Sequence, residues 1–136
     1  MKRYALLIAF AVLAALAPAS VHSSPDPSGA YRGDGVSPQG KDYHVAVHIV
    51  RNGDTYVVKW LTPRGLVNVG VGFVSGNTLS VGYVGATAGV VVYTINGKHL
   101  TGTWTDIDAS GHTYKETLTK LAEGETIKLP RGGPLF

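Results

Sequence analysis

A chain of 136 residues holds one domain, and its 18 glycines recur without a period, which excludes a fibrous repeat and fits many tight turns. Cysteine is absent, so neither a disulfide framework nor lipid attachment at a signal-peptide cysteine is open to it. The formal charge of +3 falls to +1 once Lys2 and Arg3 are set aside (10 basic residues against 9 acidic), and no Lys/Arg stripe marks a nucleic-acid surface.

Residues 1–23 read as a secretory signal peptide. Met1-Lys2-Arg3 is a basic start, 4–16 is an apolar run rich in Ala and Leu, and small residues follow, with cleavage after Ala19 or after Ser23. The run is short for a membrane span. The product is expected to be exported, periplasmic or secreted. Residues 24–28 read as a disordered leader, 29–121 as the domain, and 122–136 as a tail with a possible short strand at 125–129 ahead of the prolines.

Within the domain the apolar residues alternate. The pattern predicts strands at 29–35, 41–51, 54–61, 66–74, 78–84, 90–96, 99–105 and 112–120, separated by Gly-, Pro- and Asn-bearing turns. Turn lengths carry the parity from strand to strand. A two-residue turn at Asn52-Gly53 switches it from Ile49 to Tyr56, and one at Gly97-Lys98 switches it from Ile95 to Leu100. Ser75-Gly76-Asn77 reads as a three-residue turn that keeps it, so Val67, Val69, Val71 and Phe73 are expected on the same face as Leu79, Val81 and Tyr83. The opposite face is rich in Thr, as in Thr101, Thr103 and Thr105, and meets water. One apolar sheet face with no helix to cover it must close on itself. The expected fold is an all-β, eight-stranded antiparallel up-and-down barrel, with a two-sheet sandwich as the alternative. Pro130, Gly132 and Pro134 before Phe136 do not suit a terminal membrane strand, so membrane insertion is not expected.

The inward face gathers nearly every aromatic residue of the domain. Tyr43, Tyr56, Trp60, Tyr83, Tyr93, Trp104 and Tyr114 form the candidate ligand-binding set, with Tyr31 and Phe73 on the same face. Either these rings fill the barrel or they line a pocket, open at one end, for a small ligand. Glu116 is the one charged residue within that face. It must be satisfied there, either by tyrosine hydroxyls that anchor the last strand or by a ligand.

No catalytic constellation or metal site is legible, and no cofactor is implied. His44 and His48 stand roughly 13 Å apart along one strand, too far to share a metal. His99 and His112 fall on different strands that could bring them together, without carboxylates at ligand spacing. Asp106 and Asp108 share a loop and suit a turn. Arg32-Gly33-Asp34 spells an integrin-binding tripeptide but sits at a strand end beside Gly35.

Gly29-x-Tyr31, the repeated hairpins and Leu100-Thr101-Gly102-Thr103-Trp104 resemble the up-and-down barrels of the calycin group, the lipocalins and avidins. The resemblance implies a ligand-holding barrel, although no biotin-contacting residues can be placed. Tyr56-x-Val58-x-Trp60, Gly70-Val71-Gly72, Val81-Gly82-Tyr83 and Leu100-x-Gly102-x-Trp104-Thr105 are similar to strands of small exported bacterial proteins, over about residues 54–118. Some of those are labelled fibronectin-binding, which implies adhesion. The expected function is therefore non-enzymatic binding of a small, partly apolar or aromatic ligand. An adhesion module for an extracellular or envelope protein is the alternative, and an enzyme a third.

Overall fold

The structure, a computed structural model, describes residues 23–127. All but the last residue of the expected signal peptide lies outside that range. So does part of the strand suggested at 125–129, whose described residues 125–127 are not in a strand.

Eight strands close into an antiparallel up-and-down barrel: β1 (Gly29–Val36), β2 (Asp42–Asn52), β3 (Thr55–Thr62), β4 (Gly65–Ser75), β5 (Thr78–Val84), β6 (Ala88–Asn96), β7 (His99–Asp106) and β8 (Tyr114–Lys120). β1 pairs with both β2 and β8, so the ring has no free edge. A single 3-10 turn, η1 (Ile107–Ala109), lies between β7 and β8. Asp106 caps it by accepting from the Asp108 backbone N–H at 3.0 Å, the turn role its sequence position suggested.

The chain's up-and-down course sends the loops alternately to two ends. The segments 37–41, 63–64, 85–87 and 107–113 lie at one end, the upper; 53–54, 76–77 and 97–98 lie at the other. The lower half of the interior is mostly aliphatic, with Val47, Ile49, Leu79, Leu100 and Leu118 at most 1% exposed and Tyr31 and Tyr56 buried beside them. Not all of the leader 24–28 is free. Pro27 is fully buried, and the Tyr31 hydroxyl donates to its carbonyl at 2.7 Å. Burial, with the charge of Asp26 nearby, pushes the Tyr31 phenol up to about 12.

β4 corrects the expected face assignment. Trp60 pairs with Asn68 and Leu61 with Leu66, so Val67 is an extra residue, a β-bulge. Beyond it the inward positions are Gly70, Gly72 and Val74, while Val71 and Phe73 point outward at 57% and 58% exposure. The next turn is two residues, Gly76-Asn77, because Ser75 pairs with Thr78. Gly76 takes φ +60°, as the first position of a tight hairpin of the II′ kind requires. Parity therefore switches into β5 and Leu79, Val81 and Tyr83 still face inward. Phe73 misled because it shares its parity with valines whose inward neighbours are glycines. A Cβ on Gly72 would lie 2.2 Å from the Ser80 carbonyl oxygen and 2.8 Å from a Val81 methyl, so no side chain fits there. The first hairpin turn is also displaced by one residue: Asn52 pairs with Thr55 around Gly53-Asp54, which leaves the parity switch intact.

Candidate functional site

The upper half of the barrel is hollow. A cavity of about 300 Å³ opens at the upper end. Its walls are Tyr43, Trp60, Tyr83, Tyr93 and Trp104, with Val45 and Val91 between them. Its mouth is formed by Pro38 and Gln39 from the first loop, Ala86 and Thr87 from the 85–87 loop, and Asp106 and Asp108 around η1. The bulge on β4 lets both Val67 and Asn68 reach it.

Three of the wall tyrosines owe their positions to glycines directly across the ladder. Tyr43 pairs with Gly35, Tyr83 with Gly89 and Tyr93 with Gly102. A Cβ on any of these glycines would come within 2.5 Å of the tyrosine. Each ring lies over a backbone that has no side chain to displace it. Trp60 and Tyr83 meet with ring centroids 5.6 Å apart.

Glu116 lies in the cavity wall and is 4% exposed. Its carboxylate accepts from the Tyr43 hydroxyl at Oε1 (3.2 Å), and from the Trp60 indole N–H (3.3 Å) and the Tyr93 hydroxyl at Oε2. The expected satisfaction by tyrosine hydroxyls is therefore present, with an indole added. Burial pushes the Glu116 carboxyl above its ordinary range, against the pull of the hydrogen bonds from Tyr93, Trp60 and Tyr43. Burial and the adjoining carboxylate raise the phenols of Tyr43 and Tyr93, and burial with the charges of Asp106 and Glu116 raises that of Tyr83. The indole N–H of Trp104 is buried with no acceptor in hydrogen-bond geometry, although it is near enough to favour an ionised Tyr43.

Of the expected ligand-binding residues, Tyr43, Trp60, Tyr83, Tyr93, Trp104 and Glu116 converge on this cavity. Tyr114 packs behind Trp104, with centroids 4.8 Å apart, and supports the wall. Tyr56 belongs to the lower end, facing Asp26 and Arg51. Sequence reasoning missed the mouth. Asp106 and Asp108 were legible as turn residues, but only the ring closure aims that turn at the cavity.

The remaining polar candidates do not assemble. His99 pairs with Thr119 at the lower end, whereas His112 lies at the upper end, so they never meet. Arg32-Gly33-Asp34 lies within β1 with Gly33 buried, and its side chains pair internally: Arg32 to Asp34 at 3.0 Å and His44 to Asp34 at 2.6 Å. Among the described residues, no group of three or more His, Cys, Asp or Glu is gathered to hold a metal ion. No family model matches the chain, and no curated protein matches it significantly.

Proposed function

We propose that this barrel is an exported, non-enzymatic binding protein that holds a small, partly apolar molecule in its upper cavity. One observation carries the reading: an aromatic-walled void of about 300 Å³, open at one end of the ring, with a single buried carboxylate in its wall. Binding sites are concave and mostly apolar, with few polar groups to orient the ligand, and this cavity has that make-up. The basic start and apolar run at the N-terminus support export to the periplasm or beyond. The Thr-rich outer strands support a barrel that is not inserted in a membrane.

Both tryptophans of the chain, Trp60 and Trp104, line the void, so tryptophan emission excited outside the tyrosine band reports on it. Titrating a panel of aromatic small molecules should shift or quench that emission at saturable concentrations. Unchanged emission across the panel removes the proposal.

A second reading has its own support. Val71 and Phe73 on β4, Val84 on β5 and Val90 and Val92 on β6 are exposed on neighbouring strands of the outer wall. A group of exposed apolar residues of this kind suits a protein partner, as the likeness to fibronectin-binding proteins implies. Capture of immobilised fibronectin, lost on Phe73→Lys, would favour it. Unaltered capture by that variant would count against it.

A further inference from the structure

We infer that the ligand of this cavity is a small organic ammonium ion, held by the aromatic walls with Glu116 beneath it and Asp106 and Asp108 at the entrance. The inference rests on the cavity being a binding site and adds the charge of its occupant.

Three carboxylates line the cavity, and no Lys, Arg or His does among the described residues. The hydrogen bonds to the Glu116 carboxylate come from neutral groups: the phenols of Tyr43 and Tyr93 and the indole of Trp60. A buried carboxylate is ordinarily matched by a cation. Here its surroundings leave that role to whatever enters. The walls point the same way. Aromatic faces carry negative potential, and cages of Trp and Tyr attract alkylammonium groups most strongly where water is excluded. Tyr43, Trp60, Tyr83, Tyr93 and Trp104 supply five such rings around one void. At the mouth, the exposed side chain of Asp108 and the capping carboxylate of Asp106 add negative charge above low-dielectric walls, which draws cations inward.

The test uses the full chain with choline and benzyltrimethylammonium, each beside the uncharged analogue in which carbon replaces the ammonium nitrogen. Tryptophan emission and calorimetry supply the readout. The cations should bind about tenfold or more tightly than their analogues. The double variant Asp106→Asn, Asp108→Asn leaves the core untouched. It should weaken the cations at low salt by roughly threefold more than it weakens their analogues. Equal binding of cation and analogue overturns the charge inference while leaving the cavity as a site. Failure of every probe overturns both. Cation preference that survives unchanged in the double variant and in a folded Glu116→Gln variant also overturns it, because the charge would then be recognised elsewhere.

Discussion

Tyr93 and Gly102 stand directly opposite each other on β6 and β7, and the ring of the first fills the space the second leaves open. A Cβ at Gly102 would lie 2.5 Å from Tyr93 Cε1. Gly102→Ala should therefore push the ring off its seat and cost about 1–3 kcal/mol, as overpacking of a filled interior does. Gly82 is the control. It lies on the outer face with nothing within 4 Å of a Cβ. Gly82→Ala should be neutral or stabilising by about 0.5–1 kcal/mol, since a glycine in a strand loses more chain entropy on folding. Urea denaturation of the two variants checks both. Equal effects would mean that the ring does not depend on that glycine.

The same ring donates its hydroxyl to Glu116, and the carboxylate serves two further donors, Tyr43 and Trp60. Removing the carboxylate takes this acceptor from all three donors. Glu116→Ala is expected to cost about 3–5 kcal/mol, whereas Tyr93→Phe removes one donor of three and should cost about 1–2 kcal/mol. Because the lost hydrogen bond favours the ionised carboxylate, Tyr93→Phe should also move the Glu116 carboxyl further up. Denaturation midpoints give the first contrast, and carbon-detected NMR titration of the carboxyl gives the second. A downward shift would contradict it.

Stability should depend on pH at both ends of the range. A carboxyl raised by folding binds more protons in the native state than in the unfolded chain, so protonation favours folding. The contribution of Glu116 is complete below pH about 4.5 and is lost as pH rises through its higher folded value. Wild type should thus lose stability relative to Glu116→Gln as pH rises from about 4.5, other groups cancelling in the comparison. A gain over that interval would contradict the desolvated site. The phenols act at the alkaline end. Tyr31, raised to about 12, and Tyr43, Tyr83 and Tyr93, raised by burial, each favour folding below pH about 10 and lose that contribution as pH rises through their folded values. Tyrosinate absorbance should rise together with loss of the near-ultraviolet circular dichroism signal. Ionisation of these phenols without unfolding would show that they are solvated.

The barrel was legible because its hairpins are short and its interior is mostly marked by large apolar side chains on alternate residues, as in Tyr43, Val45, Val47 and Ile49. Glu116 was legible by the same parity, as the one charge on an apolar face. Two features escaped for a shared reason. Sequence periodicity reads side chains, and part of this interior is built from backbone. Gly70 and Gly72 face inward with Val81 and Tyr83 against them, so the apolar parity of β4 points the wrong way. The void was undetermined because volume depends on how Tyr83, Trp60 and Trp104 lean across the ring, which no local pattern encodes. The acidic mouth depends on which loops share an end, and that follows only once the strands are counted and closed.

The reversed face of β4 yields the sharpest check of the architecture. If Phe73 were inside, truncating it would open a cavity and cost about 3–5 kcal/mol, and Val74 would be indifferent to substitution. With Phe73 outward and Val74 packed against the core, the order inverts. Phe73→Thr should change stability by no more than about 0.5 kcal/mol, as exposed strand positions tolerate a β-branched polar residue. Val74→Thr should cost about 1–2 kcal/mol, because the hydroxyl is carried into an apolar interior without a partner. Chemical denaturation of the pair decides the matter. A large loss at Phe73 with none at Val74 would return β4 to the unbulged register and would remove the opening through which Asn68 reaches the cavity.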